Sequence, residues 1–83
     1  MNRYRVVVAI RLKPEVLDPA GQAVAGVLDQ MGMTGVESVR LGRLVDLEVA
    51  ADGPESARAL AEAAARRLLA NPVLETFEVA VEP

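Results

Sequence analysis

Two proline-stiffened junctions between strand and helix constrain this chain more than any other feature. The first, LKPEVLDPAGQ over residues 12–22, leads off a strand and into a helix. Lys13-Pro14 ends the strand, because proline has no N–H to give a sheet ladder. Asp18-Pro19 then opens the helix. The aspartate accepts from free first-turn amides, and proline at the first helical position lacks an N–H that would be orphaned there anyway. The second junction, LLANPVLETFEV over residues 68–79, runs the other way: Asn71-Pro72 stops a helix before a strand begins.

Side-chain periodicity fills in the elements between these stops. Over residues 3–12, Tyr4, Val6, Val8, Ile10 and Leu12 recur with period two, a half-buried strand whose other face carries Arg5, Val7, Ala9 and Arg11. Val24, Val27, Leu28 and Met31 recur at helical spacing and predict a buried stripe, closed by Gly32 as a C-cap. Residues 36–41 predict a weaker strand, turned at Gly42 into a hairpin with residues 43–50, where Val45, Leu47 and Val49 alternate with Leu44, Asp46 and Glu48. Asp52-Gly53-Pro54 starts a second helix, with Glu55 near its positive end. Ala57, Leu60, Ala61, Ala64 and Leu68 form its predicted inner face; Arg58, Glu62 and Arg66 point out. Residues 73–81 make the last strand, with Phe77, Val79 and Val81 inward. The order βαββαβ predicts an α+β, ferredoxin-like plait with an antiparallel sheet and two helices, a single domain over residues 1–83.

Composition excludes most chemistry. There is no cysteine or histidine, so Cys–His and Ser–His–Asp nucleophile arrangements and thiolate or imidazole metal sites cannot be built. Asp46 and Glu48 share a strand face that could meet a hard cation, but alternation with Val45 and Leu47 reads as a solvated face, and no metal site is expected. Arg5 and Arg11 are expected to face Asp46, Glu48 and Glu78 across strands. A net charge of −3 and only two aromatics, Tyr4 and Phe77, argue against nucleic acid, which needs a basic footprint and stacking surfaces. No apolar run reaches about 18 residues, so no membrane span is expected. MNRYRVVVAIRLK reads as a strand rather than a signal peptide, and the expected location is cytoplasmic.

What remains is a surface for partners. Lys13, Glu15, Asp18 and Gln22 crowd polar groups onto one short, proline-braced loop, the kind of rigidly held connection where interaction residues tend to lie. Arg43 after Gly42 is a basic tip that could meet an anion or a partner, and Asn71 marks the second junction. The candidate partner-binding residues are therefore Lys13, Asp18, Gln22, Arg43 and Asn71, with no catalytic residue among them. A domain this small, with an aliphatic core, gains from a second subunit that buries more apolar area.

The segments RLKPEVLDPAGQAV, LDQMG, VESVRLGRLVDLEV and RRLLANPVLETFEV together resemble the PurS family, the small subunit of phosphoribosylformylglycinamidine (FGAM) synthase, over residues 4–81. Two positions depart from the family's habit: Arg43 stands where lysine is common, and Phe77 where tyrosine is common. The resemblance implies a subunit that performs no bond-making itself. Its enzyme makes formylglycinamidine ribonucleotide from formylglycinamide ribonucleotide, glutamine and ATP in purine synthesis. A glutaminase subunit releases ammonia, and a large synthetase subunit, where ATP and Mg are expected, consumes it. The small subunit would bind both, help pass ammonia between them, bind no cofactor, and form a dimer or tetramer with sheets able to pair across subunits. Whether such a chain is itself called an enzyme stays open. The alternative is a small-molecule-binding regulatory module of the ACT type, which shares the element order. It normally carries a glycine-rich ligand loop after the first strand, whereas here no glycine precedes Gly21. An acylphosphatase-like plait needs a phosphate loop and a third-strand asparagine, and this chain has asparagine only at Asn2 and Asn71.

Overall fold

The computed structural model describes all 83 residues. Its elements run β1 (Asn2–Leu12), α1 (Pro19–Gln30), β2 (Gly42–Ala51), α2 (Pro54–Ala64), a π-helical turn (Ala65–Leu69) and β3 (Glu75–Val81). The sheet is antiparallel with order β2-β1-β3. Helix α2 lies across all three strands on one face. No helix is long and apolar enough to cross a membrane.

The period-two face of β1 sits where its spacing predicts. Val6, Val8 and Ile10 are fully buried, with Val49 and Ala51 of β2 beside them and Phe77, Val79 and Val81 of β3 packed against them. From α2 and the π turn come Ala57, Ala61 and Ala65, each with no exposed surface. Alanines let the helix backbone approach the sheet closely, and they leave a thin core. The other sheet face has no helix over it. There Arg3 pairs with Glu48 at 3.0 Å, Arg5 with Glu82 at 4.0 Å and Arg11 with Glu78 at 3.7 Å. The arginine–carboxylate ladder therefore exists, but Asp46 takes no part in these pairs, and Glu48 is held by Arg3 rather than by Arg5 directly opposite it. Arg58 reaches from α2 to donate to the Val79 carbonyl at 2.8 Å, which covers part of the exposed edge at β3.

Three expectations are corrected. Residues 36–41 are not a strand: Leu41 N–H bonds Asp18 Oδ2 and Arg40 bonds the Lys13 carbonyl, while the outer edge of β2, where the expected hairpin would pair, stays free. Gly42 consequently begins β2 instead of turning a hairpin, and it is needed because a Cβ there would meet the Ile10 carbonyl oxygen at 2.6 Å. Second, the inner face of α2 is shifted. The Ala70 N–H donates to the Ala65 carbonyl five residues back, at 2.9 Å, and this widened turn brings Leu69 round to the core while Leu68 turns outward, 84% exposed. Leu60, on the flank, is exposed as well.

Third, the α1 stripe is not covered. Asp18 caps the helix and Gly32 closes it with φ 86°, Gly32 N–H bonding Asp29 O and Met33 N–H bonding Leu28 O, a Schellman arrangement. Yet the only buried residue of α1 is Gly21; Val27 is 54% and Met31 68% exposed, Val24 is exposed, and Leu28 is only half-buried. The helix stands off the sheet as an arm. That is why the chain measures 51 × 27 × 13 Å with a radius of gyration of 16.3 Å, against about 12 Å for a compact fold of this length.

Gly42→Ala should lower unfolding free energy by about 1–3 kcal/mol, since the added methyl forces β2 away from β1. Urea melts of the two proteins check it.

Candidate partner-binding site

Three chain segments meet at the end of the sheet where β1 runs out, and most of the predicted site residues are there because they tie those segments together. Leu12, Asp18, Leu41, Gly42, Arg43 and Glu75 line one shallow depression. Asp18 is buried. Its Oδ1 accepts from Gly21 N–H at 2.9 Å and its Oδ2 from Leu41 N–H at 2.8 Å, so one carboxylate serves both the helix start and the chain returning from α1. Those two backbone bonds hold its pKa below the ordinary value, Arg40 adding to the effect and burial opposing it.

Arg43 points to the α2 side of the sheet. Its guanidinium grips Glu75 bidentately, Nη1 to Oε2 at 2.6 Å and Nη2 to Oε1 at 3.1 Å, and Nη2 also donates to the Leu69 carbonyl at 2.6 Å. Glu75 further accepts from Asn71 N–H at 2.7 Å. Arg43 first, and then the Asn71 amide, hold the Glu75 carboxyl below its usual range, and Glu75 in turn raises Arg43. A lysine at position 43 could make one of these bonds well but not the fork. Asn71 closes a turn, its Oδ1 accepting from Val73 N–H at 2.9 Å and Leu74 N–H at 3.3 Å.

Lys13 is joined to this cluster by its backbone. Its N–H donates to Leu74 O at 2.8 Å, and its carbonyl accepts from Val16 N–H at 2.9 Å and Arg40 Nη2 at 2.9 Å. Gln22 borders a neighbouring depression with Glu37 and Arg40. Asp18, Arg43 and Asn71 thus have their polar groups engaged within the chain, while no ion pair holds the Lys13 ammonium and no hydrogen bond holds the Gln22 amide. Glu75, the acceptor on which Arg43 and Asn71 converge, was not anticipated from sequence; its place four residues after the Asn71 stop is the one local hint. No three carboxylates or other metal-ligand side chains come together.

The surface best suited to a partner is apolar and lies elsewhere. Val27, Met31 and Met33 along the arm, Leu17 just before it and Leu44 on the open sheet face are all well exposed. On α1, Ala23, Val24, Val27 and Leu28 line one wholly apolar depression, and apolar surface gathered in this way marks interaction sites.

Since Asp18 and Glu75 bind protons less readily folded than unfolded, their contribution to stability is complete above the ordinary carboxylate range, about pH 4, and is lost as pH falls through their depressed values. The melting temperature should therefore drop below pH 4, and Glu75→Gln should flatten that acid limb while lowering stability near pH 7. Thermal melts from pH 2 to 7 check both.

The chain matches known proteins across its length. The PurS family model, described as phosphoribosylformylglycinamidine (FGAM) synthase, matches residues 5–83. The Mycobacterium leprae phosphoribosylformylglycinamidine synthase subunit PurS is 41% identical over 78 residues, covering 94% of this chain and 95% of that protein. Among solved structures, Methanocaldococcus jannaschii PurS superposes with a TM-score of 0.86 at 32% identity, covering 95% of each chain. A chain of the PurLQS structure from Thermotoga maritima superposes at 0.91 with 32% identity, covering 99% of this chain and 100% of that one. With the family model matching residues 5–83 and relatives similar along nearly the whole chain in sequence and fold, this chain belongs to the PurS family.

Proposed function

We propose that this chain is the non-catalytic small subunit of FGAM synthase in purine biosynthesis, bridging the glutaminase and the ATP-dependent synthetase subunits and assisting ammonia transfer between them. The observation that carries the reading is the end-to-end match to a chain of the PurLQS structure. The side-chain inventory supports it: without cysteine or histidine the chain offers no nucleophile–base pair, so the chemistry falls to its partners. In this reading the chain works in the cytoplasm as one domain over residues 1–83 and binds no cofactor, ATP and Mg belonging to the synthetase subunit. Asp18, Arg43 and Asn71 serve partners indirectly by building the sheet end, and Lys13 and Gln22 are the polar groups left to reach across an interface. The uncovered α1 stripe supports a homo-oligomer, dimer or tetramer. An ACT-type regulatory module is not favoured, since the loop after β1 is proline-braced where a ligand loop would need glycine.

Reconstitution tests the reading. Glutamine-dependent product should form only when this chain joins the glutaminase and synthetase, while added ammonia supports some turnover without it; full glutamine-dependent turnover in its absence would overturn the proposal. Light scattering tests self-association. Wild type should exceed the 8.8 kDa of one chain at micromolar concentration, and Val27→Asp should shift the mass toward that value with helical circular dichroism retained.

A further inference from the structure

Residues 19–40 leave the sheet as α1, turn at Gly32 and come back without regular structure, so the whole excursion joins the rest of the molecule at one neck. The neck is narrow. Asp18 bonds Gly21 N–H and Leu41 N–H, residues 20 positions apart, and is the only buried charged group in the chain. Gly21 lies so close to the returning chain that a Cβ would run into the Val39 carbonyl oxygen and Asp18 Oδ2. Arg40 adds one exposed bond, to the Lys13 carbonyl. Beyond this neck α1 buries nothing but Gly21.

We infer that Asp18 is a positioning residue for subunit assembly: its carboxylate latches the neck of the α1 arm, so that it governs where the apolar stripe of Val24, Val27 and Met31 is presented without governing whether the sheet folds. The assembly half of this inference rests on the reading that the stripe is a contact between copies of the chain. The latch half rests on geometry alone. The carboxylate can satisfy two amide donors at once because both its oxygens accept. It closes a loop that has no core of its own, and such segments open locally at lower free energy than the sheet to which they are attached. The junction that opens the helix and the clasp that orients it are one side chain.

Asp18→Asn keeps the shape but turns an NH₂ donor toward one of the two amide donors, so one bond is lost. Gly21→Ala attacks the same neck from the other side, against Val39. Asp29→Asn removes an exposed α1 carboxylate that makes no bond and serves as the control. Hydrogen exchange read by mass spectrometry should show amides of residues 19–41 losing protection roughly five- to tenfold in both neck variants, with residues 6–10 of β1 and the control unchanged. The dimer dissociation constant should rise by a similar factor. Exchange that rises equally in β1, or not at all in the arm, would overturn the latch; an opened arm with undiminished assembly would overturn its positioning role. Should wild type run as a single chain in light scattering, the contact reading fails, and the exchange pattern still decides the latch.

Discussion

Strand β1 sets the terms for every other element because both of its edges are occupied along most of its length. It pairs with β2 from Asn2 to Arg11 and with β3 from Val6 to Leu12. Its inward residues, Val6, Val8 and Ile10, are the only large side chains fully shut off from solvent. Two ladders on one strand leave a three-stranded sheet with no further room beside its centre. They also leave α2 as the sole cover of one face. The chain between α1 and β2 joins neither outer edge of that sheet, and α1, tethered to it, buries nothing but Gly21. The elongated shape follows from a helix held at its base and packed on neither face of the sheet.

Features written in local side-chain-to-backbone chemistry were legible in the sequence. Asp18-Pro19, Gly32 and Gly53-Pro54 bound their helices as cap and proline rules require, and Asn71 closes its turn. Period two placed the inward residues of β1 correctly. What could not be read depends on competition or on phase. Residues 36–41 have strand composition, but whether they pair with β2 is decided by the whole chain, and here Leu41 and Arg40 are tied to the first junction instead. Leu68 falls on the inner face of an uninterrupted α-helix, and one π turn moves Leu69 into its place. Periodicity showed that α1 has an apolar face; it carries no information on what covers that face. At the site, Lys13, Asp18, Arg43 and Asn71 do gather at one end of the sheet, whereas Glu75 looks in sequence like any charged residue at a strand's start.

Three of the five polar residues expected at contacts, Asp18, Arg43 and Asn71, are engaged within the chain, and only the Lys13 and Gln22 side chains are left free. Arg43 joins β2, the π turn and β3 through one planar group. Asn71 and Glu75 hold the last turn, and Asp18 holds the first helix to the chain returning from it. Local bonds close the two turns, and the long-range ones, Asp18 to Leu41 and Arg43 to Leu69 and Glu75, tie those turns to the sheet and stiffen the corner. The groups exposed for association are instead leucines, valines and methionines, residues whose burial drives assembly without demanding close directional matching. A subunit that works through contacts needs a rigid base and an adhesive surface, and the two are physically separate here.

Separation of this kind couples stability to assembly. Only eleven of 83 residues are buried, so the isolated chain draws on little apolar area, and anything that binds the folded arm stabilises the fold by mass action. The coupling is uneven. A partner covering α1 restrains a segment that opens easily, while β1 and its two ladders gain only what is transmitted through the neck at Asp18. Ordering the arm subtracts from the free energy of contact, and a neck that already holds the helix reduces that cost before contact is made. This is the physical reason for a buried aspartate at the base of an otherwise unsupported helix: it preorganises a surface that the core cannot support.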